Sequence, residues 1–222
     1  DSTQATPWPD LYGSAEGFAI TRLADRLEKP VVVIANDSRR MKLLQEEIAF
    51  FIQDHSTPPL LSLSDWECLP YDVVSPQPEV ISDRLRTLAQ IPHLERGILL
   101  STVPALMQRL PPSDYFLGHS FLLETGQTVV PENLRKRLQE AGYLSVSQVL
   151  YQGEYAVRGG VVDIFPMGSS APFRLDLFGD QLETIRLFDP ASQRSSATRS
   201  SIELLPAREY PTDSDAITRF RA

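Results

Sequence analysis

Apolar residues in the first half of the chain alternate between a helical spacing and short uninterrupted runs. Apolar positions three and four residues apart predict a helix from Ser14, which can cap it, to about Leu27. Pro30 ends that pattern, and residues 31–35 (VVVIA) follow as a wholly apolar run. Such a run predicts a strand that is buried on both faces.

The same alternation continues to residue 110. Asp37 or Ser38 can cap a second helix, whose apolar stripe is formed by Leu44, Ile48, Phe51 and Ile52. A strand near residues 60–63, a helix from Pro78, a strand at 97–101 and a helix at 104–110 follow. Strands separated by helices predict a parallel sheet that is covered on both faces.

The pattern changes after the PPSD stretch at residues 111–114, which predicts a domain border. A strand at 121–123 and a helix from Pro131 to Gly142 come first. Five alternating runs then indicate hairpins: GEYAV, GVVDIF, PFRLDLF, QLETIRLF and SIELLP. The second half is therefore predicted to be an α+β unit with an antiparallel sheet. The last residues resemble a linker and the start of a helix, so we expect the chain to be a fragment.

Charge argues against nucleic-acid binding. The 222 residues carry a formal net charge of −8, and residues 1–118 hold 10 basic against 16 acidic groups. Residues 119–206 are nearly balanced, with 8 against 10, and every basic residue there except Lys136 is arginine. Arginine favours planar contacts at protein interfaces, so this segment indicates protein recognition. No secretory signal or membrane span is evident, and the lone Cys68 excludes an internal disulfide, which together predict a cytoplasmic protein.

Candidate sites for chemistry are weak. Gly13 and Gly17 lie in LYGSAEGFAI, a turn that opens a helix where a nucleotide-binding domain places its phosphate loop, but the required Lys and Ser/Thr are missing and Glu16 would repel phosphate. His55, His93 and His119 are scattered, and the carboxylates of Asp65 and Glu67 on a loop are expected to be solvated. No catalytic group, metal or cofactor is predicted.

One face of a predicted strand carries an unusual pair of residues. Alternation along PFRLDLF places Phe173, Leu175 and Leu177 on the core face, and Arg174, Asp176 and Phe178 on the other. Arg158 belongs to the adjoining hairpin and can reach that second face. Arginine beside an exposed aromatic is typical of interface hot spots. The alternative, left open, is that Phe178 packs beside the turn at residues 179–180 while the arginines pair with Asp163 or Asp176.

Longer stretches of the sequence resemble a known family. GEYAVRGGVVDIFP and APFRLDLFGDQLETIRLFDPASQR are similar to a segment shared by the excision-repair protein UvrB and the bacterial transcription-repair coupling factors (Mfd). WECLPYDVVSPQPEVISDRLRTLAQI, GILLSTVPALMQRL and GQTVVPENLRKRLQEAGY resemble the coupling factors in nearly unbroken order. The chain departs from UvrB in two ways: its phosphate loop lacks the Lys and Ser/Thr, and no long hairpin is inserted after Tyr71-Asp72.

The resemblance implies a specific organisation and function. It implies a degenerate P-loop, RecA-like α/β domain (residues 1–118), then an α+β domain that binds the damage-recognition ATPase UvrA (residues 119–206), and then the start of a further segment packing on the first domain (residues 207–222). Arg158, Arg174 and Phe178 match the family's UvrA-contacting positions. RNA polymerase and DNA would be contacted only by C-terminal parts of the parent translocase, so the fragment is expected to lack ATPase activity. The alternatives are a UvrB-like, ATP-dependent helicase fragment and, less favoured by the charge, a DNA-binding module.

Overall fold

The structure is a computed structural model, and it describes residues 7–8, 11–52, 59–66, 68, 73, 76–211, 217–218 and 221. In chain order its helices and strands are α1 (Ala15–Arg26), β1 (Pro30–Ala35), α2 (Ser38–Phe51), β2 (Leu60–Leu63), α3 (Pro78–Gln90), β3 (Gly97–Thr102), α4 (Val103–Met107), α5 (Ser113–His119), β4 (Phe121–Glu124), α6 (Pro131–Glu140), β5 (Leu144–Ser145), β6 (Glu154–Arg158), β7 (Val161–Ile164), β8 (Phe173–Phe178), β9 (Gln181–Phe188), β10 (Ser195–Arg199) and β11 (Ser201–Leu204). A 3-10 turn (Ile91–His93) follows α3. Within the described residues, no helix is long and apolar enough to cross a membrane.

The contacts divide the chain into two compact units. The first comprises residues 1–65 and 93–108, and the second comprises residues 66–92 and 109–222. This division differs from the border at residue 118 that the sequence predicts. In particular, α3 was expected to cover the parallel sheet, but its contacts assign it to the second unit, where it packs against α5.

The first unit contains a three-stranded parallel sheet in the order β1-β3-β2. Helices α1 and α2 pack on this sheet, because their apolar stripes face the same side of β1 and β3. The core between them is formed by Ile20, Ala24, Ala35, Met41, Leu44, Ile48, Ile98 and Leu100.

The prediction that β1 is buried on both faces is wrong. Val31 and Val33 are half-buried against the helices, whereas Val32 and Ile34 are 55% and 54% exposed. The reason is packing: α1 and α2 cover the face of β1 that carries Val31 and Val33, and Val32 and Ile34 point to the opposite face. A wholly apolar sequence therefore forms a strand with one exposed face.

The second unit contains a six-stranded sheet in the order β10-β9-β8-β7-β6-β5. Its neighbours are antiparallel except for β5 and β6, which are parallel. The mixed α/β fold class is therefore confirmed, with a parallel sheet in one unit and an antiparallel sheet in the other. One predicted hairpin strand is displaced: the SIELLP segment forms β11, which pairs with β4 in a separate two-stranded sheet.

Candidate protein-docking site

Two hairpin turns lie side by side at one end of the six-stranded sheet. Gly159 and Gly160 join β6 to β7, and Gly179 and Asp180 join β8 to β9. The backbone N–H of Leu177 donates to the carbonyl of Gly160 at 2.7 Å. A Cβ atom at Gly160 would lie 2.6 Å from the Leu177 carbonyl oxygen, so this close approach requires glycine. This hydrogen bond therefore extends the pairing of β7 with β8 into the first turn.

Arg158 and Arg174 meet at one buried carboxylate. Arg174 donates from Nε to Oδ1 of Asp163 at 2.6 Å and from Nη2 to Oδ2 at 2.9 Å. Arg158 donates from Nη2 to the same Oδ2 at 2.6 Å. Asp163 is 1% exposed, and its two oxygens thus serve both guanidinium groups. The structure brings together the two arginines that alternation and the resemblance single out.

Arg174 is fixed by further contacts. Its Nη1 donates to the Gln193 carbonyl at 3.2 Å, and its guanidinium carbon lies 4.9 Å from the centre of the Phe188 ring. The hydrogen bond to Asp163 raises the pKa of Arg174 above its usual value, so this group is charged at every physiological pH. Arg174 is consequently a half-buried part of the sheet as well as a candidate docking residue.

The three candidate residues differ in exposure. The side chains of Arg158 and Arg174 are 54% and 19% exposed, and Phe178 is 77% exposed. The arginines are therefore ion-paired with Asp163, as the second interpretation of the sequence expects, whereas Phe178 is exposed at the turn. Asp176 takes a different partner: it accepts from Nε and Nη2 of Arg186 at 3.0 and 2.7 Å.

The region of the candidate phosphate loop has a structural role. Gly13 has a left-handed φ of +58° in the turn before α1. A Cβ on Gly17 would lie 2.6 Å from Cβ of Glu47, so this glycine permits close packing of α1 on α2. Glu16 at the start of α1 and Glu47 both form ion pairs with Arg40. Two carboxylates and one guanidinium, with a formal charge of −1, thus lie near the end of the helix where a phosphate would need positive charge.

The remaining chemical candidates do not converge. His93 is exposed in the 3-10 turn, and Nδ1 of His119 lies 2.9 Å from the Tyr115 carbonyl. His55 and Glu67 lie outside the described residues. Across the described part of the chain there is no group of three or more His, Cys, Asp or Glu that could hold a metal ion.

One buried polar cluster was missed by the sequence analysis. Arg84 is 0% exposed and donates from Nε and Nη2 to the carboxylate of Glu209 at 3.1 and 2.6 Å. Nε1 of Trp66 donates to the same carboxylate at 2.7 Å. The three residues are far apart in sequence and each is unremarkable in its local pattern, so no sequence signal pairs them.

Comparison with known proteins gives one domain family and several similar proteins. Residues 121–210 match the family model described as "UvrB interaction domain". The chain is 43% identical over 213 residues to the transcription-repair-coupling factor of Escherichia coli and 42% identical over 213 residues to that of Haemophilus influenzae. It is 30% identical over 199 residues to the transcription-repair-coupling factor of Bacillus subtilis.

These matches concern first a class of domain and then a group of related proteins. Residues 121–210 match the UvrB interaction domain, and this segment contains Arg158, Arg174 and Phe178. The resemblance to the transcription-repair coupling factors is confirmed over 96% of the chain. The chain spans 18% of the length of these two relatives.

Proposed function

We propose that this chain is the UvrA-docking part of a transcription-repair coupling factor, and that residues 119–206 carry the docking surface. The observation that supports this most is the exposed Phe178 beside the Arg158–Asp163–Arg174 cluster, on a domain of the UvrB interaction family. By binding UvrA as UvrB does, the parent protein would bring damage recognition to stalled RNA polymerase. RNA polymerase and DNA are assigned to other parts of the parent.

The docking residues have distinct roles in this proposal. Arg158 and Arg174 donate charge-assisted hydrogen bonds to carboxylates on UvrA, and Phe178 supplies the apolar contact that UvrA desolvates. A few such residues carry most of the free energy of binding in typical interfaces. The acidic remainder of the chain reduces non-specific attraction to nucleic acid.

The test is the affinity of the chain for UvrA, measured by isothermal titration calorimetry with single alanine variants. Arg158→Ala and Phe178→Ala are each expected to weaken binding by about 2 kcal/mol or more, because both remove hot-spot contacts from an exposed position. Matched controls are Arg199→Ala on β10 and Leu122→Ala on β4, which remove an exposed arginine and an exposed apolar side chain elsewhere.

The controls are expected to bind UvrA within about 0.5 kcal/mol of the unmodified chain, as surface substitutions usually do. Thermal unfolding of each variant checks that the fold is retained. Wild-type affinity of the Arg158→Ala, Arg174→Ala, Phe178→Ala triple variant would contradict the docking assignment.

The proposal also treats residues 1–118 as a RecA-like scaffold that has lost nucleotide binding. Support comes from the Glu16–Arg40–Glu47 cluster and from the packing of Gly17 against Glu47, since both occupy the region a phosphate loop would use. Titration with a fluorescent ATP analogue in the presence of Mg²⁺ is expected to show no saturable binding. Saturable binding at micromolar concentration would instead favour a UvrB-like helicase fragment.

A further inference from the structure

Asp163 occupies the centre of the docking face without being accessible itself. It lies on β7, directly between Ala156 of β6 and Arg174 of β8. Arg158 lies two residues beyond Ala156 on β6, so its side chain reaches Asp163 along the diagonal of the sheet. One carboxylate thus receives an arginine from each neighbouring strand.

The surroundings of this carboxylate are largely apolar. Ala156, which lies opposite Asp163, belongs to a small buried cluster with Val149, Phe165 and Phe188. Phe188 also lies against the Arg174 guanidinium. Hydrogen bonds between charged groups are stronger where water is excluded, so the carboxylate restricts both arginines more than a surface ion pair would.

Both arginines keep donors for a partner. A guanidinium group has five N–H donors, of which Asp163 takes one from Arg158, while Asp163 and Gln193 together take three from Arg174. Two positive charges and one negative charge leave the cluster with a formal charge of +1. A partner surface that presents carboxylates matches both the remaining donors and this charge.

We propose that Asp163 is a positioning residue for docking: its buried carboxylate holds the guanidinium groups of Arg158 and Arg174 in the arrangement that the acidic surface of UvrA binds. This inference rests on the proposed function. Side chains held in place before binding lose less conformational freedom on association, so affinity rises without any contact between Asp163 and UvrA. If Asp163 instead competed with UvrA for the arginines, removing its charge would tighten binding rather than weaken it.

The experiment compares UvrA binding by the unmodified chain and by Asp163→Asn, which keeps the shape of the side chain and removes its charge. Asp163→Asn is expected to weaken binding about tenfold or more, because the amide nitrogen places a donor against guanidinium donors. Glu203→Gln, which removes one exposed negative charge from β11, is the control for net charge and is expected to leave affinity within about twofold.

A double-mutant cycle separates positioning from a general effect on the fold. In the Arg158→Ala, Arg174→Ala background, Asp163→Asn is expected to change the affinity for UvrA by less than about twofold, because the groups through which it acts are gone. An equal loss of affinity in both backgrounds would show that Asp163 acts only through the stability of the fold, and this would overturn the inference. Unchanged or tighter binding by Asp163→Asn would also overturn the inference.

The outcomes distinguish this inference from the proposed function. If the unmodified chain does not bind UvrA, the docking proposal itself is contradicted. If Arg158→Ala weakens binding but Asp163→Asn leaves it unchanged, only the positioning role is contradicted. If the Asp163→Asn variant does not fold, side-chain ¹⁵N–¹H NMR spectra of the free unmodified chain test whether the arginines are held in place. Slow rotation about the Nε–Cζ bond of Arg174 is expected, and rapid averaging would overturn the inference.

Discussion

Tyr143 shows how one buried side chain joins three parts of the second unit. Its hydroxyl donates to the Leu205 carbonyl at 2.8 Å and accepts from the Met167 N–H at 3.3 Å. Burial raises the pKa of Tyr143 far above its usual value, because the ionised form would lose its hydration. Ionisation of Tyr143 at alkaline pH is therefore expected to lower the stability of the fold.

Replacing Tyr143 by Phe is expected to lower the free energy of unfolding by roughly 1–3 kcal/mol at pH 7, since two backbone groups lose their partner. The folded pKa lies above the unfolded value of about 10, so the stabilisation is complete below about pH 10 and is lost as the pH rises above it. Urea unfolding at pH 7 and pH 10.5 measures both effects. Tyr143→Phe should lose less stability between these pH values than the unmodified chain, and Tyr151→Phe, at an exposed tyrosine, should behave like the unmodified chain.

At the scale of residues, the sequence predicted on which face of the β8 strand each side chain lies, but not which carboxylate pairs with the arginines. Alternation correctly placed Leu175 and Leu177 in the core and Arg174, Asp176 and Phe178 on the opposite face, because β8 has no extra residue. Alternation could not choose between Asp163 and Asp176 as the partner of the arginines. That choice depends on strand pairing and on the Gln193 loop, both of which are set by contacts distant in sequence.

Helix starts are the element-scale features in which local sequence is most reliable. Asp37 caps α2, and its side chain accepts from the Arg40 backbone N–H at 2.7 Å. Ser14 occupies the same position before α1, as the sequence predicts, but its side chain makes no capping hydrogen bond. The two helices thus allow a capping side chain that forms its hydrogen bond to be compared with one that does not, within one unit.

Asp37→Ala is expected to lower the free energy of unfolding of the first unit by about 1 kcal/mol, the usual cost of removing a capping carboxylate. Ser14→Ala is expected to cost a few tenths of a kcal/mol at most, because no capping bond is lost. Amide hydrogen exchange in α1 and α2 measures the change in each helix. Equal losses for the two variants would show that the Asp37 hydrogen bond contributes little.

The sequence predicts helices and strands well where local signals determine them. It predicts them poorly where packing against other elements determines them. The β2 strand and the starts of α3 and α6 match the prediction, since Pro at the first turn marks both helices. Helix α5 was not predicted, and the exposure of Val32 and Ile34 contradicts a buried β1. Which face of an apolar strand is covered depends on the elements that pack on it, and this information is not local.

At the scale of the whole second unit, the Arg84–Glu209 ion pair joins residues that are 125 positions apart. Trp66 supports the pair twice, through the hydrogen bond to Glu209 and through its ring, whose centre lies 5.4 Å from the Arg84 guanidinium carbon. Because both side chains are buried, the attraction between the two charges offsets part of the cost of removing them from water.

Glu209→Gln is expected to lower the free energy of unfolding of the second unit by roughly 3–5 kcal/mol, since it removes the charge of a carboxylate that is paired with a buried arginine. The surface pair Lys136–Glu140 is the control, with Glu140→Gln expected to cost less than about 1 kcal/mol. Urea unfolding followed by tryptophan fluorescence measures both. Recovery of this stability when Arg84→Met is added would show that the charges, rather than the packing, set the cost, whereas a loss below about 1 kcal/mol in Glu209→Gln would contradict the expectation.

The carboxylate shared by Arg158 and Arg174 also bears on how such a surface changes during evolution. Selection for a stable sheet retains Asp163 and Arg174 whether or not a partner binds, because both are held inside the fold by several bonds. Under the proposed function, Phe178, which is largely exposed, and Arg158, which is held by one hydrogen bond, would be retained chiefly by selection for docking. A lineage without the partner would then be expected to lose Phe178 and Arg158 first and to keep Asp163 and Arg174.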